Sequence, residues 1–162
     1  MADGPVREAL EDLLQRIDLD RAARQRLVDE VRTYFPDDEP DRPVVALMAV
    51  DLDRYYTCLE ATLETVIRVL DGVVPSGAEW HRALLDVASQ PGDSRPALVS
   101  PETMQALLQL LRFRHFMRHA YAVDLDWAKL RPLATQLPVL NSLVSNDLKA
   151  LRSFLESCLT HS

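Results

Sequence analysis

The chain has 162 residues, of which 48% are hydrophobic, 27% charged and 6% aromatic, and its formal net charge is −7. A chain of this length buries enough apolar surface without a metal or a disulfide, so we predict one domain spanning residues 1–162. The negative charge excludes nucleic-acid binding through the overall field of the protein and leaves only a local basic surface for such contacts.

Neither membrane insertion nor a disulfide framework is predicted. The longest apolar run, residues 44–50, is far shorter than the roughly 18 residues that a membrane span requires. Cys58 and Cys158 lie in helical patterns and lack the spacing of a Cys-x-x-Cys motif. We therefore expect a cytoplasmic protein without a cofactor.

Apolar residues at intervals of three and four predict helices along most of the chain. Residues 1–35 form an N-terminal helical segment, as one bent helix or two short ones, and the proline- and acid-rich residues 36–43 form a loop. The clearest helix covers residues 44–70, and its length of about 40 Å makes it a spine for the shorter helices. Tyr55 and Tyr56 lie on its apolar stripe. Its other side carries charged residues: Asp53, Glu60, Glu64 and Arg68.

Three further helical regions follow the spine. Residues 78–89 form a short helix, and a longer one starts at Ser100, where a capping hydroxyl precedes a proline and a glutamate, and runs to about Tyr121. Pro132 and Pro138 bend or divide the last region. Because no alternating strand pattern of useful length occurs, we predict an all-α fold, an antiparallel bundle of four to five main helices.

The helix after Ser100 changes character halfway along. Its first half carries an apolar stripe, and the same arc of the helical wheel continues with four basic or titratable residues: Arg114, His115, Arg118 and His119. No acidic residue occurs from Thr103 to Val123, although the chain is acidic overall. A pattern broken in this way is typical of a functional site, and the basic arc is expected to meet a cleft or a partner.

Residues 114–121 read RHFMRHAY, in which an arginine is followed after four residues by a histidine and after one more by a tyrosine. This motif resembles the HEPN superfamily and, within it, the HepT-like toxins of HEPN–MNT toxin–antitoxin pairs. Further similar features lie along the chain: the Tyr55-Tyr56 helix, the turn at 75–77 before Trp80-His81, the lead-in at 110–113 and the Leu137-Pro138 step.

The resemblance implies a HEPN-like bundle, homodimeric, that acts as a metal-independent endoribonuclease toxin of a type VII-like pair. RNA is cut without a metal when its 2′-hydroxyl attacks the adjacent phosphate, which needs proton transfer near pH 7 and a cation for the phosphate. His119 suits the first task and Arg114 the second, so both are candidate catalytic residues. His115, Arg118 and Arg112 are candidate contacts for RNA phosphates.

The resemblance also implies a regulatory partner, an MNT-type nucleotidyltransferase antitoxin. In HepT-like toxins the tyrosine of this motif accepts AMP from that partner, so Tyr121 is the expected AMPylation site. A nucleotide attached there would place a negative phosphate beside Arg114 and compete with the RNA phosphate.

Other interpretations stay open at this point. The basic helix end also suits a solvated terminus that complements the helix dipole, and the chain also fits a catalytically inactive HEPN-type dimeric binding module. His115 and His119 have the spacing of a helical metal pair, but only Asp124 or Asp126 offers a third ligand, so no metal is predicted. His81, next to a tryptophan, is interpreted as a partly exposed packing residue whose replacement by alanine leaves activity nearly intact.

Overall fold

The computed structural model describes residues 4–119 and 125–161, and over these ranges it contains α-helices and no β-strand. The helices are α1 (Gly4–Tyr34), α2 (Arg42–Asp71), α3 (Trp80–Ser89), α4 (Pro101–His119) and α5 (Trp127–Thr160). The predicted all-α fold with four to five main helices is confirmed. Within the described ranges, none of these helices combines the length and the apolar character needed to cross a membrane.

Helix α2 is the centre of the fold, because it packs against each of the other four helices. Tyr55 and Tyr56 are buried in it, as the apolar stripe predicts. The helix ends at Gly72, which has a φ of 76° and donates its backbone N–H to the carbonyl of Arg68 at 3.2 Å. Glycine adopts this left-handed conformation without steric cost, so the chain can turn away towards α3.

The two longest helices, α1 and α5, pack against each other as well as against α2. Helix α1 is continuous, which settles the choice between one helix and two. Helix α5 is also continuous, with Pro132 and Pro138 inside it, so the alternative that the prolines divide this region is wrong. Each proline removes one backbone hydrogen bond, and the long buried stripe of α5, which runs from Leu130 to Leu155, compensates for that loss.

The loop between α1 and α2 is shorter than predicted. Helix α2 already begins at Arg42, so Arg42 and Pro43 belong to its first turn and not to the loop. The backbone nitrogens of a first turn have no partner within the helix, so a proline there removes no hydrogen bond.

One buried arginine fixes the connection between α3 and α4 to the end of α2. The Arg95 side chain is 1% exposed and donates to both carboxylate oxygens of Asp71, at 2.8 and 2.7 Å. It also donates to the carbonyls of Val87, Gln90 and Pro96. A bidentate pair of this kind is both strong and directional, so it sets where α4 begins.

The start of α4 has the predicted cap. The Ser100 hydroxyl accepts a hydrogen bond from the Thr103 backbone nitrogen at 3.3 Å. The Ser100 backbone nitrogen donates to Asp147 of α5 at 2.9 Å. Helix α4 is therefore held at its first turn by α5.

The buried carboxyl of Asp51 on α2 leads to a pH-dependent prediction. Burial, with a smaller effect of Glu30, raises the pKa of Asp51 against the opposing effect of Arg54. The folded protein therefore binds this proton more tightly than the unfolded chain. The ionised carboxylate lowers stability above its folded pKa, and this cost disappears as the pH falls below the unfolded value of about 3.9.

We expect Asp51→Asn to raise the free energy of unfolding at pH 7 by about 1 kcal/mol, because it removes a buried charge with an unpaired oxygen. The gain should shrink as the pH is lowered to 4, in urea unfolding followed by circular dichroism. Asp12→Asn, at an exposed position of α1, is the matched control and should change little at either pH. An equal gain at both pH values would contradict the prediction.

Candidate functional site

A polar cluster lies where α2, α3 and α4 meet. Its centre is the guanidinium of Arg114, and we call it the Arg114 cluster. Its members come from three helices: Asp53, Tyr56, Thr57 and Glu60 of α2, His81 of α3, and Arg114 and His115 of α4.

Arg114 is buried, with 5% of its side chain exposed. Its Nη1 donates a hydrogen bond to the Thr57 hydroxyl, and its guanidinium lies 5.5 Å from the centre of the Tyr56 ring. Its Nε is 3.9 Å from Asp53 Oδ1, and its Nη1 is 3.9 Å from Glu60 Oε1. Both distances exceed the roughly 2.7–3.2 Å of a direct hydrogen bond, so the acids neutralise the cation without using up its donors.

These contacts explain the broken pattern of α4. The expectation from the sequence was that the basic arc meets a cleft or a partner. Instead, carboxylates of the same chain lie opposite the Arg114 cation and compensate its buried charge. His115, Arg118 and His119 remain exposed.

The sequence pattern predicts that Glu60 lies on the solvent-exposed side of α2, and that prediction is wrong. Its side chain is 5% exposed because α3 and α4 cover this side of the helix. Burial first, and the neighbouring Glu60 carboxylate second, raise the pKa of Tyr56, while Arg114 opposes the shift. The phenol of Tyr56 is therefore neutral at physiological pH.

His81 belongs to the same cluster. Its Nδ1 is 2.6 Å from Glu60 Oε2, and 15% of its side chain is exposed. Its ring stacks on Trp80, with centroids 3.8 Å apart, and faces the His115 ring edge-on at 5.9 Å. The structure shows the packing contact that the sequence suggested and adds a hydrogen bond to a buried carboxylate.

His119 lies in the last turn of α4, one turn beyond His115. Its Nδ1 is 2.7 Å from the His115 carbonyl oxygen, an acceptor only, so Nδ1 carries the hydrogen. In the neutral ring Nε2 then holds a lone pair that can accept a proton. Arg118 is exposed beside it in the same turn.

The structure does not bring every predicted residue together. Arg112 is exposed and lines an apolar groove with Phe113, Phe116 and the first turns of α5, away from the Arg114 cluster. Tyr121 and Asp124 lie outside the described residues. Within the described ranges, no three His, Cys, Asp or Glu side chains are grouped as a metal site would need.

Sequence reasoning missed the contacts that three polar residues of α2 make with Arg114. Asp53, Thr57 and Glu60 follow one another at intervals of four and three, so they share one helical face. These residues form a polar stripe on α2 beside Tyr56, and this stripe could have indicated a buried polar contact. It was not used, because charged residues at this spacing usually mark the solvated face of a helix.

Comparison with known proteins identifies the family. A family model described as HepT-like protein matches residues 46–155, a range that includes the Arg114 cluster, all of α3 and α4 and most of α2 and α5. No curated protein and no solved structure gives a significant match. The resemblance read from the motif at 114–121 is confirmed over most of the chain. This chain belongs to the HepT-like family of the HEPN superfamily.

Proposed function

We propose that this protein is a metal-independent endoribonuclease, the toxin of a type VII-like HEPN–MNT toxin–antitoxin pair. Membership of the HepT-like family supports a nuclease of the HEPN kind. The observation that carries the proposal is the junction of α2, α3 and α4, where a fixed arginine lies beside His81 and His115 with His119 one turn further on.

The proposed reaction is attack of the RNA 2′-hydroxyl on the adjacent phosphorus. The O2′–P bond forms as the P–O5′ bond breaks, which leaves a 2′,3′-cyclic phosphate and a 5′-hydroxyl. One proton must leave O2′ and one must reach O5′. His119 is exposed, has an open Nε2 and belongs to the residue type that titrates near pH 7, so it is the first candidate for proton transfer.

Charge on the phosphate is balanced in the proposal by two kinds of cation. Thr57 and the acidic residues of α2 hold the Arg114 guanidinium in place, so it provides a positive charge in a fixed position. His115 and Arg118 are exposed and reach the phosphate from the surface. Arg112 lies two turns before His119 and lines the groove between α4 and α5, so its proposed contribution is a contact with RNA further from the cut.

A specific observation favours a second candidate, the catalytically inactive dimeric binding module. Arg114 is 5% exposed and faces two carboxylates of its own chain, which also suits a purely structural role. The two functions differ in whether the purified protein cuts RNA.

The purified protein should cut single-stranded RNA in excess EDTA, and His119→Gln should lower the rate by about 10²–10⁴-fold, the usual contribution of a general acid or base. His161→Gln, an exposed histidine just after α5, is the matched control and should cut at the wild-type rate. The assay separates labelled RNA on a gel and identifies the 2′,3′-cyclic end. Loss of cleavage in EDTA would favour a metal site, and no cleavage at all would favour the binding module.

The Arg114 test needs a variant that still folds. Arg114→Ala leaves Asp53 and Glu60 without their cation, at a cost of about 3–5 kcal/mol, so activity lost in that variant is ambiguous. Arg114→Lys keeps the charge and removes the planar set of donors. We expect it to remain folded by circular dichroism and to lose about 10²-fold in rate. Wild-type activity in Arg114→Lys would contradict a role in stabilising the phosphate.

The proposal includes a homodimer in which the exposed side of α4 meets its copy. This side carries His115 and His119, and Phe116 is 38% exposed next to them. A two-fold axis there would give a cleft with cations from both copies, which suits a polyanion. Light scattering should report about twice 18.3 kDa, and Phe116→Asp should reduce that mass to the monomer value. A wild-type monomer at micromolar concentration would exclude a shared cleft.

The proposal also includes control by AMP transfer to Tyr121 from the MNT-type antitoxin. The Tyr121 oxygen attacks the α-phosphate of ATP and pyrophosphate leaves, so a phosphodiester is added two residues after His119 in the sequence. Its charge competes with the RNA phosphate for Arg118 and Arg114.

Incubation with ATP and the proposed MNT-type antitoxin should add the mass of one AMP and suppress RNA cleavage. Tyr121→Phe should prevent the mass change, whereas Tyr34→Phe, the control at an exposed tyrosine, should not. Modification that persists in Tyr121→Phe, or modified protein that cuts at full rate, would overturn this mode of control.

A further inference from the structure

A second imidazole of the Arg114 cluster has the geometry of a proton-transfer group. His81 Nδ1 lies 2.6 Å from Glu60 Oε2, slightly closer than the roughly 2.7–2.9 Å of a charge-assisted N–H···O hydrogen bond. Burial holds Glu60 in place, and the stacked Trp80 ring limits rotation of the imidazole. The orientation of His81 is therefore fixed from two sides.

The hydrogen bond also fixes which nitrogen is open. A carboxylate only accepts, so the hydrogen of the neutral imidazole lies on Nδ1 and the lone pair lies on Nε2. No residue in the described ranges makes a hydrogen bond to Nε2, although 15% of the side chain is exposed. A carboxylate at Nδ1 also stabilises the imidazolium that forms once Nε2 has accepted a proton.

The position of His81 relative to α4 determines which groups lie near its Nε2. Its ring faces the His115 ring at 5.9 Å, and His119 follows one helical turn later, a rise of about 5.4 Å. Glu60 is shared, because its other oxygen faces Arg114 at 3.9 Å. Glu60 thus holds His81 and Arg114 on its two oxygens, with His115 next to His81 and His119 one turn further along α4.

We propose that His81 is the general base of the RNA cleavage and that Glu60 is its positioning residue. This inference rests on the proposed ribonuclease function. His81 Nε2 removes the proton of the 2′-hydroxyl as the O2′–P bond forms, and His119, in its protonated form, gives its proton to O5′ as the P–O5′ bond breaks. His81 ends protonated and His119 neutral, and exchange with water restores both, so protons and charges balance.

The pH dependence follows from these two roles. Catalysis needs His81 neutral and His119 protonated, so the rate should show a bell-shaped dependence on pH. The titratable and charged groups that face His81 are Glu60 from α2 and Arg114 and His115 from α4.

The test is single-turnover RNA cleavage as a function of pH for the wild type, His81→Gln and Glu60→Gln, with His161→Gln as the control. His81→Gln should lower kcat by about 10²–10⁴-fold with little change in KM and should remove the acidic limb of the profile. Glu60→Gln keeps the shape of the acceptor and removes its charge. It should therefore shift the acidic limb and lower kcat less than His81→Gln does. Circular dichroism confirms that each variant is folded.

The outcomes separate this inference from the function on which it rests. A folded His81→Gln variant with full activity and an intact acidic limb would overturn the role of His81 and leave the ribonuclease standing. A reduced kcat with both limbs unchanged would assign His81 a structural role and overturn the inference as well. A wild-type protein that cuts no RNA would overturn the proposed function itself, and the inference would fail with it.

Discussion

Glu60 brings a negative charge into the junction of α2, α3 and α4, and the geometry of the junction follows from the need to compensate that charge. A carboxylate that is 5% exposed is strongly unfavourable unless cations or donors surround it. Helix α3 supplies an imidazole to one oxygen, and α4 supplies a guanidinium near the other. The interaction that makes burial possible therefore also determines which parts of α3 and α4 face each other.

Contacts elsewhere in the fold fix the positions of α3 and α4 along the axis of α2. Arg95 joins the end of α2 to the connection before α4, and the Ser100 cap, bound to Asp147, fixes the first turn of α4. Arg114 lies nearly four turns after Ser100, so small changes at the start of the helix would be carried to the cluster. A rigid helix thus links two contacts that are distant in the structure.

Much of the fold could be predicted from the sequence, because apolar spacing reports directly on which face of a helix is buried. The end of α2 at Gly72 and the cap at Ser100 follow from local rules. The continuity of α5 through Pro138 does not, since long-range packing outweighs the local cost of a proline.

Only part of the candidate site could be predicted from the sequence. The change from apolar to basic residues in α4 located Arg114 and His119, because it breaks a regular pattern. Glu60 and His81 gave no such signal. A charge on the polar side of a helix is exposed by default, and only the packing of α3 and α4 over α2 makes Glu60 a buried partner.

The contact between α1 and α5 has a consequence for synthesis on the ribosome. The Tyr55 hydroxyl donates to Asn141 at 2.9 Å, and the Asn141 amide donates to Gln25, so one side chain of α5 joins both α1 and α2. Helix α5 leaves the ribosome after the other four, and until then the parts of α1 and α2 that pack against α5 have no cover. The helices that carry the Arg114 cluster all emerge earlier, and α5, which packs against both α2 and α4, completes their surroundings last.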